Sequence, residues 1–227
     1  MSELTVNKYL EKTYQRFKRH HQLILWAVLL PLVTFSILTF NILSLEDSGF
    51  SWDISLLLTI HQTFRESFYS LASFSTNLGG FKVILLFLSP IILLLFSQTK
   101  RRLLTYLIVT IFSSAIVNLI IKIIIHRSRP QLWQSDYPFP SDFSFPSGHA
   151  MGSITLALAL LVVFWGSRYQ FLLWILAGIY VGSIAWTRLY LGVHFPSDII
   201  GGWLLGIAWT ALMTFLFNLP QSNKNTN

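Results

Sequence analysis

Apolar runs near twenty residues long, separated by short polar or basic stretches, constrain this chain more than any other feature. A helix rises about 1.5 Å per residue, so each such run can cross a hydrocarbon layer of roughly 30 Å. Six are expected to do so, over residues 23–43, 81–97, 103–125, 150–165, 171–187 and 199–217. Lipid offers no partner for an open backbone, and runs of this length without strict alternation are helical. The expected fold class is all-α, an integral membrane bundle of six transmembrane helices. Composition agrees: 53% of residues are hydrophobic and 11% charged, against about 25% charged in soluble domains. The first run is too long for a signal-peptide core and Ser44, Leu45 and Glu46 offer no cleavage site, so it is expected to be retained, kinked at Pro31.

Residues 54–78 have a different pattern. Ile60, Phe64, Phe68, Leu71 and Leu78 recur at helical spacing, while Gln62, Arg65, Glu66, Ser70 and Ser73 take the other side. The central Arg-Glu pair makes crossing costly, so an amphipathic surface helix is expected. Residues 1–22 read as a basic cytoplasmic tail, 23–217 as one membrane domain and 218–227 as a polar, disordered tail. There is no internal repeat and no second domain.

A net charge of +7 would fit a nucleic-acid binder if the charges formed a patch, but they lie between spans. With the N-terminus inside, ten of the 16 Lys and Arg residues fall on the cytoplasmic side, as the positive-inside rule asks. Arg65, Lys82, Lys122, Arg127, Arg129 and Arg188 fall outside. Lys82 reads as a snorkelling anchor. Lys122, Arg127, Arg129 and Arg188 sit at helix ends where orientation disfavours cations, so another function is expected to keep them there. The chain has no cysteine, which removes disulfides and thiolate nucleophiles.

Three short stretches share that outer face: Lys122 to Pro130 (KIIIHRSRP), Pro146 to His149 (PSGH) and Arg188 to Asp198 (RLYLGVHFPSD). Phosphoryl transfer spreads charge over three equatorial oxygens, so its catalysis is mostly positioning and electrostatic stabilisation. Lys122, Arg129 and Arg188 supply three cations, two of them forks that match phosphate oxygens. Ser147 and Gly148 precede an apolar helix whose first N–H groups point at a bound anion. Histidine side chains ordinarily titrate near neutrality, so His149 and His194 suit a nucleophile and an acid. Four residues separate His194 from Asp198, a spacing that lets the carboxylate accept the Nδ1 proton and leaves Nε2 to attack. Among the remaining residues, His61 reads as structural, His126 and Ser128 as loop, and Arg127 as loop or as an aid to headgroup charge.

In order and spacing these stretches resemble the type 2 phosphatidic acid phosphatase signature, K-x6-R-P, P-S-G-H and S-R-x5-H-x3-D, with Thr187 in place of the usual Ser. The resemblance implies that His194 forms a phosphohistidine, Asp198 orients it, and His149 is the acid and then the base for water. It also implies phosphate binding by Lys122, Arg129, Ser147, Gly148 and Arg188, and no metal or other cofactor. The implied substrate is a membrane lipid phosphate: phosphatidylglycerophosphate, phosphatidic acid or undecaprenyl pyrophosphate. Location is expected in the inner cell membrane, with both termini cytoplasmic and the active site extracytoplasmic. No nucleic acid and no obligate protein partner are expected. A lipid phosphotransferase using the same phosphohistidine and a non-catalytic lipid-phosphate binder or transporter remain alternatives. Soluble vanadate-dependent haloperoxidases share the motifs, but not the apolar runs.

Overall fold

The computed structural model describes the backbone of residues 3–45, 49–64, 67–134 and 137–219, and side chains from residue 22 onward within those ranges. Arg65 and Glu66, the pair at the centre of the expected surface helix, and residues 220–227 of the expected tail lie outside the described residues. The described residues form helices and no strands: α1 (Glu3–Leu43), α2 (Ser51–Phe64), α3 (Tyr69–Thr76), α4 (Phe81–Ser97), α5 (Arg101–Ile125), α6 (Gly148–Val163), α7 (Gln170–Tyr190) and α8 (Pro196–Leu216). A 3-10 turn, Asn77–Gly79, joins α3 to α4.

Four segments are long and apolar enough to cross a membrane: Gln22–Leu43 of α1, α5, α7 and α8. The pair Tyr69–Gly79 and α4, bent by 58°, adds a fifth if it is one broken span. The expected span 150–165 corresponds to α6, which is apolar but has 16 residues. Length and composition alone thus give four spans, or five with the bent pair. Residues 3–22 are helical and run without a break into the first span, with Pro31 inside one continuous helix. Large apolar side chains face outward, Phe40, Phe96 and Phe171 each more than 70% exposed. Lipid can solvate such a surface and water cannot. This is a membrane protein.

The surface helix expected over 54–78 is instead two helices. Phe68 leaves helical geometry (φ −120°, ψ 16°) before α3, and its N–H donates to the Tyr190 hydroxyl at 3.1 Å. Phe64 and Phe68 pack edge-on against Trp186, itself stacked on Tyr190. This aromatic corner, anchored on α7, outweighs the helical periodicity of the local sequence. Trp186 is half-buried in this corner. Nor does α2 simply lie on the surface, since Asp53 and Leu57 are fully buried.

At the centre stand α6 and α8: α8 packs on α1, α5 and α6, and α6 on α5, α7 and α8. In its most apolar window α8 is 44% buried inside the protein, whereas the α1 span is 6% buried and borders lipid along most of its length. Close approach of α6 and α8 depends on Gly202, where a Cβ would lie 2.7 Å from the Ser147 carbonyl oxygen. That contact sets the first turn of α6 beside the first turn of α8.

Candidate active site

The candidate side chains lie at or beside helix ends. α5 ends because His126 takes left-handed geometry (φ 55°), a common helix stop. Lys122 is thereby left in the last turn of α5, and Arg127 and Arg129 in the loop after it. The returning strand of that loop is tied to the outgoing one: Ser144 N–H donates to the Arg127 carbonyl and Ser144 Oγ to the Ser128 carbonyl, each at 2.9 Å. Asp142 therefore comes to rest beside Lys122 and Arg129.

Arg188 occupies the last turn of α7. After it Gly192 turns at φ +67°, with Trp133 packed so closely that a Cβ would meet its ring at 2.4 Å. His194 follows, and α8 starts with Pro196 in its first turn, where a missing N–H costs nothing. Asp198 Oδ2 accepts from the Phe195 N–H at 2.8 Å, as a capping carboxylate does. The same oxygen lies 3.3 Å from His194 Nδ1. On the other side of the ring, Arg129 Nη1 is 3.1 Å from His194 Nε2. A guanidinium can only donate, so Nε2 carries the lone pair and Nδ1 the proton that Asp198 accepts. Burial holds the pKa of His194 well below the usual histidine range, and the charges of Arg129, Arg188 and Lys122, with His149, act in the same direction. Both the guanidinium contact and this shift favour the neutral imidazole, the form that can act as a nucleophile.

The three cations of the sequence motifs sit at this ring. Lys122 Nζ donates to Asp142 Oδ2 and to the Phe143 carbonyl, each at 2.5 Å. Arg129 donates to Asp142 Oδ1 (2.6 Å) and to the Val193 carbonyl (2.6 Å). Arg188 is 1% exposed. Its Nη1 donates to Thr76 Oγ1 at 2.8 Å, its Nε lacks a partner, and no carboxylate pairs with it among the described residues. A buried cation without a carboxylate is costly unless an anion arrives. Ser147 caps α6, its Oγ accepting from Ala150 N–H at 3.4 Å, and its own N–H donates to the Asp198 carbonyl at 3.1 Å. Gly148 and His149 begin α6.

His149 lines a cavity of about 210 Å³ whose other walls are mostly apolar, including Phe81, Ile84, Ile111 and Met151 from α4, α5 and α6. A polar head next to His149 can therefore continue into an apolar tail between those helices.

Two residues outside the expected site set hold the site together. Arg127, read as loop or as an aid to headgroup charge, is 2% exposed. Its Nη1 donates to Asp198 Oδ1 (2.6 Å) and Ser197 Oγ (2.8 Å), and its Nη2 to Asp53 Oδ2 (3.1 Å). Asp53 accepts from Ser197 N–H at 2.8 Å and from its Oγ at 2.5 Å. The signal for Asp53 was a lone carboxylate in the first turn of α2, and for Arg127 a second arginine two residues before Arg129. His61 stacks on Trp133, with ring centroids 4.3 Å apart.

Residues 103–221 match the PAP2 superfamily, more than half of the 227 residues. An undecaprenyl-diphosphatase of Sulfolobus acidocaldarius is 32% identical over 127 residues, 54% of this chain and 58% of the relative. A phosphatidylglycerophosphatase B of Bacillus subtilis is 34% identical over 97 residues, 40% of this chain and 47% of the relative. The chain thus spans about half the length of the curated relatives it matches. In fold it resembles the crystal structure of a transmembrane PAP2-type phosphatidylglycerolphosphate phosphatase from Bacillus subtilis, with a TM-score of 0.66 at 23% identity over 84% of this chain and 96% of that one. With the family match covering all three motifs and the fold in agreement, the chain belongs to the PAP2 superfamily.

Proposed function

We propose that the protein is a lipid phosphate phosphatase that hydrolyses the terminal phosphate of a membrane-anchored lipid through a phosphohistidine on His194. The observation that carries this reading is the state of His194: its Nδ1 faces Asp198 and its neutral Nε2 faces a guanidinium in a nest of cations. Binding alone needs the cations but not an oriented, deprotonated imidazole.

The steps follow from that arrangement. A terminal phosphate takes the donors of Lys122, Arg129 and Arg188 and the N–H groups at the start of α6, which disperses the charge on its equatorial oxygens. Arg129 transfers its hydrogen bond from Nε2 to the phosphate, and Nε2 attacks phosphorus in line. The bond to the lipid oxygen breaks, and His149 gives that oxygen a proton. Nδ1–H stays bonded to Asp198, which stabilises the positive charge on the ring. Water then attacks the phosphohistidine while His149 takes its proton, and inorganic phosphate leaves. The cations provide the charge stabilisation, so the reaction runs without a metal. The cavity beside His149, apolar toward α4 and α5, supports a substrate whose tail stays in the bilayer.

The names of the relatives favour phosphatidylglycerophosphate or undecaprenyl pyrophosphate over phosphatidic acid. We place the protein in the inner cell membrane, crossing six times with the bent α3–α4 pair and α6 each counted as one crossing. Both termini are then cytoplasmic and the site extracytoplasmic. To test the activity, the purified protein is given each lipid phosphate in detergent with EDTA present, and free phosphate is measured. Release from at least one lipid is expected, with a fall of about a thousandfold or more in His194→Ala. No release from any lipid, or equal release by the variant, would overturn the reading.

A further inference from the structure

Asp142 lies on the loop between α5 and α6 and belongs to none of the three motifs. Its two oxygens are both committed: Oδ2 to Lys122 Nζ at 2.5 Å and Oδ1 to Arg129 Nη2 at 2.6 Å. The cations are buried, with side chains 5% and 6% exposed, while that of Asp142 is 51% exposed. Exposure is therefore one-sided. Lys122 and Arg129 present little of their side chains to solvent, whereas the carboxylate can swing into it. Burial favours the neutral acid at Asp142, yet its hydrogen bond to Lys122 and the charges of Lys122 and Arg129 hold the pKa below the ordinary carboxylate range. A full negative charge thus sits across two of the donors that a phosphate needs.

We propose that Asp142 is a specificity-determining residue: a competing anion that yields its place on Lys122 and Arg129 to a terminal phosphate but not to a phosphodiester. A phosphomonoester or terminal diphosphate group carries roughly 1.5 to 2 negative charges near neutrality, whereas a phosphodiester carries one. Exchanging one singly charged anion for another gains little Coulomb energy, and the diester has fewer free oxygens to take over both contacts. A doubly charged group gains on both cations. The surrounding bilayer presents diester headgroups at very high local concentration, so without such a filter they would occupy the cations. Specificity then comes from a cost imposed on the wrong ligand as well as from contacts to the right one. Contacts of the described loop residues hold the carboxylate in place. Arg129 Nε also donates to the Asp142 carbonyl at 2.9 Å, and Trp133 of the same loop is stacked on His61.

The proposal rests on the phosphatase reading only for the identity of the favoured anion, and binding measurements separate the two. Calorimetric titration of the detergent-purified full chain with methyl phosphate and with dimethyl phosphate is expected to give binding of the first only. In Asp142→Asn, methyl phosphate is expected to bind on the order of tenfold tighter, with dimethyl phosphate now binding measurably. Asp142→Glu keeps the charge and is expected to keep the exclusion. Equal binding of both ligands by the wild type would overturn the proposal, and this needs no variant to fold. Unchanged or weaker binding of methyl phosphate by a folded Asp142→Asn would overturn it too. If the wild type hydrolyses no lipid phosphate but the variant shows the expected gain, the phosphatase reading fails and the filter stands. Normal hydrolysis with unmoved selectivity gives the reverse.

Discussion

The residue that most repays attention is Arg127, since its guanidinium connects three parts of the chain that local sequence cannot relate. Two buried carboxylates, Asp53 and Asp198, share this one cation, and none of the three side chains is more than 2% exposed. Removing the cation leaves two carboxylates uncompensated, whereas removing Asp53 leaves a one-to-one pair. Arg127→Ala is therefore expected to cost about 3–5 kcal/mol and Asp53→Asn clearly less, a ranking that thermal melts in detergent would check. An equal loss in both would mean that Asp53 matters for its hydrogen bonds to Ser197 more than for its charge. The motifs were legible because their logic is local: the four-residue step from His194 to Asp198 places the ring beside its carboxylate whatever the rest of the fold does. Asp53 and Asp142 were not. Asp53 reaches Ser197 across 144 positions and Asp142 reaches Lys122 across 20, and no spacing rule covers such distances.

Among the elements, the pairing of α6 with α8 matters most to the site. Apolar periodicity located both helices in the sequence, because a span must be long and uninterrupted. It could not set how closely they approach. The Gly202 Cα position against the Ser147 carbonyl does that, and through it the distance between the N-terminus of α6 and the ring of His194. A larger side chain there pushes against backbone, which cannot rotate away. Gly202→Leu is expected to cost about 1–3 kcal/mol and to lower kcat more than a lipid-facing control such as Phe171→Leu, measured as phosphate release and melting temperature. Normal kcat in a destabilised Gly202→Leu would uncouple the helix spacing from the chemistry. The expected single helix over 54–78 failed for a related reason. Its periodicity was real, but the corner at Phe68 is made by Trp186 and Tyr190, which lie more than a hundred residues away.

For the whole molecule, the absence of cysteine allows a direct test of orientation. A single cysteine at Phe139, in the loop that carries Asp142, is expected to react with a membrane-impermeant maleimide in intact cells, and one at Thr99, between α4 and α5, only after lysis. Labelling of Thr99→Cys in intact cells with protection of Phe139→Cys would put the chemistry on the cytoplasmic side. The Asp53–Arg127–Asp198 group also has a bearing on how the protein is made. Synthesis runs from the N-terminus, so the ribosome delivers Asp53 first, Arg127 next and Asp198 last. The arginine that must be carried to the site already has a carboxylate waiting for it, and the two are neutral together while α7 and α8 are still being translated. Asp198 and the His194 ring beside it then arrive together, in the hairpin of α7 and α8.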